Sequence, residues 1–203
     1  MLNEIATGVW HWEAPHPDWN DSELPQLVSS YAIDDGERLL VFDPIAPPDE
    51  LAGLADARDL VVVLTNPWHE RDSRALVERY DPPVFFTLPD PGSPDVAWLL
   101  SGEAGEPHPY AADGVLPAGI DAAFPGREQN DLVLWIASRH TVVAGDTLVD
   151  FGRGLEIYEP WLRTTTRAQV VAELQPLLDL PVVHVLATHG GPHDGAALER
   201  ALV

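Results

Sequence analysis

Residues 61–73, Val-Val-Val-Leu-Thr-Asn-Pro-Trp-His-Glu-Arg-Asp-Ser, constrain the chain more than any other stretch. Val61 to Leu64 are apolar and mostly β-branched, the pattern of a buried strand. Pro67 has no N–H to give a ladder and disfavours helix at Asn66, so the strand stops there. Ionisable and polar side chains crowd the next turn, from Trp68 to Ser73. Ala75, Leu76, Val77 and Tyr80 then recur at helical spacing. Strand, chemically dense turn, helix: α/β proteins place active sites at such points.

The flanking sequence supplies more strands and the helices to cover them. Gly8–Trp12 alternates as an opening strand, and Ala14–Trp19 is a proline-stiffened loop whose His16 either faces the site or, as is commoner beside two prolines, is exposed or stacked on Trp19. Leu27–Ile33 and Arg38–Phe42 flank Asp34-Asp35-Gly36-Glu37, a hairpin signal, and the second run ends in Asp43-Pro44. Pro47–Glu50 opens a short helix, and Pro83–Thr87 is a further strand. Residues 95–100 fit helix or strand, and residues 101–119 read as loop. Leu132–Ile136 and Thr141–Ala144 are paired strands. Thr164–Thr166 caps an amphipathic helix that Pro176 should kink or end, and Val182–Leu186 is a strand before a last helix opened by His193-Asp194.

At 203 residues the chain suffices for one well-buried domain, residues 1–203. Thirty-three Asp and Glu against 11 Lys and Arg leave a net charge of −22, which repels phosphate backbones and argues against nucleic-acid binding. A local basic pocket from Arg71, Arg127 and Arg163 stays compatible with that surface. No apolar run reaches the ~20 residues of a bilayer span, so no membrane partner is expected. No basic-then-apolar leader opens the chain, and it has no cysteine. Thiolate ligands and disulfides are thereby excluded, and the expected location is the cytoplasm.

The 61–73 stretch resembles the metallo-β-lactamase fold, in which a strand ends in Thr-His-x-His-x-Asp-His. Thr65 is one landmark. With Asp72 at the motif's Asp, Trp68 stands at the first His, Glu70 at the second and Ser73 at the third. Two further segments support the resemblance. Val142–Asp146 looks like the strand and Gly-Asp that supply a metal-bridging aspartate, and Val185–Gly190 like the strand and His-Gly of the last ligand. The resemblance spans most of the chain and implies a four-layer αββα sandwich.

The implied chemistry is damaged. Position by position, one metal site would hold Trp68, Glu70, Arg127 and Asp146, and neither indole nor guanidinium ligates a divalent ion. The other would keep Asp72, Asp146 and His189, with Ser73 where an imidazole belongs. His69 and His193 are candidate replacements, although in the family the position of His69 points away. The resemblance thus implies at most one divalent ion (zinc, manganese or iron) and leaves a metal-free site open. In the first case the protein is a hydrolase of an ester, thioester or phosphoester, with Asp72 or Glu70 orienting water. In the second it is a non-catalytic descendant that binds a small molecule or a protein, with Arg127 neutralising Glu70, Asp72 and Asp146. Taken singly, Asp72 reads equally as a helix cap, Asp146 as a turn residue and His189 as a backbone-bonding histidine. Substrate and oligomeric state are not legible.

Overall fold

Two β-sheets face each other with helices against both outer faces in the computed structural model, which describes residues 1–16, 19 and 24–203. The first sheet runs in chain order: β1 (Asn3–Ala6), β2 (Val9–Pro15), β3 (Leu27–Asp34), β4 (Arg38–Phe42), β5 (Asp59–Val63), β6 (Val84–Thr87) and β7 (His108–Tyr110). Its first four strands pair antiparallel and its last four parallel. The second sheet comprises β8 (Ala122–Pro125), β9 (Leu132–Ile136), β10 (Thr141–Val143), β11 (His184–Ala187) and β12 (Gly191–Asp194), ordered β12-β11-β10-β9-β8. β10 and β11 are its parallel pair. Helices α1 (Leu51–Ala55), α2 (Ser73–Tyr80) and α3 (Ala97–Leu100) belong to the first half, α4 (Arg167–Leu174) and α5 (Gly195–Ala201) to the second.

Strand periodicity sorts most of the apolar residues into three large cores, with Ala14, Val28 and Ile45 forming a small fourth. Leu40, Phe42, Val61 and Val63 meet Leu132, Leu134, Ile136 and Val143 between the sheets. Their neighbours Leu39, Val41, Leu60 and Val62 point the other way, under Leu51, Leu76 and Leu99 of α1 to α3. Val133, Trp135, Val142 and Val185 pack beneath Val170, Leu174 and Leu198 of α4 and α5. Burial on both faces explains why these strands read as continuous apolar runs. Each such side chain contributes ~1.5–3 kcal/mol by leaving water.

The local signals act as their chemistry requires. Asp35 Oδ1 accepts from the N–H groups of Glu37 and Arg38, closing the β3–β4 hairpin. Thr166 and Gln169 form a reciprocal capping box on α4, and Pro176 falls in a 3-10 turn (Gln175–Asp179) immediately after that helix. Two differences stand out, and one open choice is settled. β7 lies inside the stretch read as loop, held by main-chain pairing to β6 and by the tilted Phe85 and His108 rings, their centroids 5.1 Å apart. Residues 97–100 are helical, and β1 adds an edge strand that four residues of weak alternation do not announce.

Candidate active-site pocket

The turn after β5 is not a simple helix start. A 3-10 turn (Pro67–His69) follows Asn66, and Arg71 takes a left-handed conformation with φ 41°. That reversal folds the Arg71 guanidinium back onto the Asp43 carbonyl at 2.9 Å and to within 3.2 Å of His69 Nε2. Asp43 fixes the turn from behind: its carboxylate accepts from Thr65 N–H at 2.9 Å and Thr65 Oγ1 at 2.7 Å. Asp43 is thus a support for the turn.

His69 sits at the centre. Its Nδ1 lies 3.2 Å from Asp43 Oδ2, and its Nε2 lies 3.3 Å from Asp146 Oδ1. The expectation that this side chain points away is therefore corrected; the tight turn at Pro67–His69 swings it inward. Burial and the Arg71 charge work against an imidazolium here, but Asp146 and Asp43 outweigh them and raise its pKa. In the neutral form Nε2 accepts from Arg71, while Nδ1 has Asn66 Nδ2 at 3.1 Å and the Asp43 carboxylate beside it; the imidazolium turns Nε2–H to Asp146.

Asp146 arrives from the end of β10. Gly145 precedes it at φ +54°, and a side chain there would crowd Asp131 Oδ1 at 2.8 Å and Thr65 Oγ1 at 3.0 Å. Asp146 Oδ2 accepts from Trp68 Nε1 at 2.9 Å and from Arg127 Nη2 at 3.1 Å. Burial opposes the charged carboxylate, yet His69, His189 and Arg127 together hold its pKa well below the usual range.

Arg127 is buried and turned inward. Its Nε donates to Asp131 Oδ2 at 3.1 Å, while its guanidinium lies 4.9 Å from the Trp68 ring and 5.1 Å from the Trp161 ring. Such sandwiching suits a weakly hydrated guanidinium. Asp131 is a hub that sequence reasoning passed over as a turn residue. It also accepts from Thr147 Oγ1 and Asn66 Nδ2, at 2.9 and 3.2 Å. Burial, with the Asp146 charge, pushes its carboxyl up to about 6, despite Arg127 and these bonds. Its available signals were its place before an all-apolar strand and its spacing of four from Arg127.

His189 follows β11, with Nε2 3.6 Å from Asp146 Oδ1 and its ring against Phe151 and Trp161. Burial lowers its pKa to about 4, against the pull of Asp146. It is neutral at physiological pH. A cleft of about 360 Å³ opens over these groups; Trp19, Leu24, Pro25 and Trp161 add its apolar walls, and His16 also lines it.

The remaining candidates lie elsewhere. Asp72 does not join Asp146 and His189: its Oδ2 accepts from Ala46 N–H at 2.6 Å, in front of α2. The left-handed turn at Arg71 carries it out of the cleft. Ser73 is buried at the start of α2 with an unpartnered hydroxyl. Glu70 faces Arg74 and Asp95, and burial raises its pKa. Neither lines the cleft. His193 lies beside Asp150, 3.5 Å away, and Arg163 is exposed near Glu128. Counted from Thr65, the Thr-His-x-His-x-Asp-His spacing lands on Asn66, Trp68, Glu70 and Arg71, with Glu70 rather than Asp72 at the Asp.

Among the described residues no group of three or more His, Cys, Asp or Glu side chains is arranged to hold a metal. Two guanidiniums, Arg71 and Arg127, and the His69 imidazole instead lie among three carboxylates, Asp43, Asp131 and Asp146.

No protein-family model matches the sequence, and no curated protein matches it. Solved structures do. A metallo-β-lactamase from Pontibacter korlensis superposes with a TM-score of 0.66 at 16% identity, covering 100% of this chain and 96% of that one. One from Erythrobacter litoralis gives 0.65 at 14% identity, over 99% and 89%. The B3 metallo-β-lactamase BLEG-1 gives 0.57 at 19% identity, over 94% and 96%. The chain is an α/β protein of the metallo-β-lactamase fold.

Proposed function

We propose that this chain is a metal-free member of its fold whose cleft binds a small molecule, the role of the metal charge having passed to Arg127, Arg71 and His69. One observation carries the reading. Asp146 Oδ2, on the carboxylate standing where the fold's bridging ligand belongs, already accepts from Trp68 Nε1 and Arg127 Nη2. A divalent ion would have to displace a buried guanidinium that also holds Asp131. The acidic surface turns polyanionic partners away, so a small molecule is the occupant the cleft favours.

A second reading keeps a mononuclear hydrolase of an ester, thioester or phosphoester. It draws on Asp146 Oδ1, which lies 3.3 Å from His69 Nε2 and 3.6 Å from His189 Nε2, His69 taking the part first given to Asp72. Arg71 weighs against it, because its guanidinium stands 3.2 Å from the same His69 nitrogen.

Elemental analysis of protein purified without chelator separates the two. The metal-free reading expects no stoichiometric zinc, manganese or iron, in the parent or in Asp146→Ala, even after incubation with each ion. About one equivalent in the parent, lost in Asp146→Ala, would establish the mononuclear site and justify ester and phosphoester assays.

A further inference from the structure

We infer that the cleft takes an uncharged, flat aromatic molecule bearing a carbonyl acceptor, an inference that rests on the metal-free reading above. Shape supplies the first ground. Three indoles, Trp19, Trp68 and Trp161, border the cavity together with Leu24 and Pro25. Such walls suit a planar ring that stacks or packs edge-on, and give little to a branched or extended chain.

Charge supplies the second. The buried cluster already sets the Arg71 and Arg127 guanidiniums, with the His69 imidazole between them, among the Asp43, Asp131 and Asp146 carboxylates. A cationic ligand would approach Arg127, and an anionic one would add a fourth negative charge to a site whose cations are engaged. Either leaves a desolvated charge without a counter-charge. A neutral molecule disturbs nothing.

Hydrogen bonding supplies the third. The Trp68 and Trp19 N–H groups are taken, by Asp146 and by the Leu24 carbonyl. Asp146 Oδ2 is taken by its two donors, whereas Oδ1 stands between two imidazoles, 3.3 and 3.6 Å away, with no hydrogen bond of its own. Among the described residues, Arg127 Nη1 and Trp161 Nε1 have no acceptor. Arg127 Nη1 and Trp161 Nε1 are donors that an acceptor on the ligand would satisfy, beside the unpartnered Asp146 Oδ1 and His189 Nδ1.

Three naphthalenes of matched shape test this by isothermal titration calorimetry on metal-free protein: 2-acetylnaphthalene (neutral, carbonyl), 2-naphthoate (anion) and 2-naphthylmethylammonium (cation). The ketone is expected to bind about tenfold or more tighter than either ion. Trp161→Phe, which keeps a ring but removes the N–H, should erase most of that advantage, and Trp161→Leu should weaken all three. Naphthoate or the amine binding as tightly as the ketone overturns the ligand class and leaves the metal-free pocket standing. Absence of binding by all three also overturns the ligand class. Stoichiometric metal in the purified protein overturns the reading beneath it.

Discussion

Asp131 and Asp146 share one guanidinium: Arg127 Nε donates to the first at 3.1 Å and Nη2 to the second at 3.1 Å. The two carboxyls nonetheless move in opposite directions. Asp131 rises to about 6 and Asp146 falls well below the ordinary range, because only Asp146 has His69 and His189 beside it as well. One cation between two buried carboxylates leaves the less supported one short of a full counter-charge.

Removal of that cation should be costly. Arg127→Met leaves both carboxylates buried with no guanidinium, and the expected loss is ~3–5 kcal/mol of unfolding free energy. Adding Asp146→Asn to the same chain removes one of the stranded charges and should recover part of it. Urea denaturation of the two variants measures both effects. Equal stability of Arg127→Met and the parent would show that the network contributes nothing.

The pH dependence follows from two opposed shifts. Asp131 is raised from 3.8 to about 6, so the stability it contributes is present at low pH and lost as pH rises through that window. His189 is lowered from 6.5 to about 4, so its contribution is present near neutrality and lost as pH falls toward 4. Between about 4 and 6 the slopes cancel in the parent. His189→Gln should unmask the Asp131 slope, making the protein less stable as pH rises, by at most about 1.4 kcal/mol per pH unit. Asp131→Asn should tilt the profile the other way. Thermal melts across this window decide it, and parallel profiles for both variants would contradict the assignment.

Asp43 should be legible in the titration of His69. Its carboxylate and that of Asp146 hold the imidazole pKa above 6.5 against burial and Arg71. Asp43→Asn removes one of the two charges, and the His69 pKa should drop. Histidine NMR titration of the parent and the variant provides the readout, with the ring of His69 identified by its loss in His69→Gln.

Gly126 exists for packing. A methyl there would overlap Thr147 Oγ1 and stand 2.7 Å from the Asp131 carbonyl oxygen. Gly126→Ala should therefore cost ~1–3 kcal/mol and loosen the Arg127 turn, since Thr147 Oγ1 also accepts from the Arg127 N–H. Thr147→Ala in the same chain relieves only the side-chain overlap, so denaturation should show a partial rescue.

What the sequence disclosed followed from periodicity and from residue types with narrow uses. Continuous apolar runs such as Leu132–Ile136 announced strands buried on both faces, and Gly145-Asp146 and His189-Gly190 announced strand ends carrying chemistry. The fold emerged from their order. What stayed hidden depends on the sign of single dihedrals. Nothing in the composition of the turn says that Arg71, an ordinary L-residue, adopts φ 41°, yet that angle sends His69 and the Arg71 guanidinium inward and Asp72 out. Asp131 was hidden differently. Beside Gln129 and Asn130 it looks like turn chemistry, and only the folded chain brings Arg127, Thr147 and Asn66 to it.

Asp72 offers the cleanest discrimination between the turn seen here and a metal-bearing one. Its carboxylate accepts from Ala46 N–H, and its own N–H donates to the Pro44 carbonyl at 3.0 Å, tying the start of α2 to the end of β4. Ala46 itself has positive φ, 40°, so the bond steadies a strained turn. Asp72→Ala should accordingly cost ~1–3 kcal/mol, the range for losing a charge-assisted acceptor, and no more. The His69 titration and the affinity of the cleft for 2-acetylnaphthalene should stay within error of the parent, since no group in the cleft bonds to Asp72. Loss of bound metal or of ligand affinity in this variant, with the fold intact by circular dichroism, would move Asp72 back into the site and overturn the arrangement described for Asn66 to Asp72.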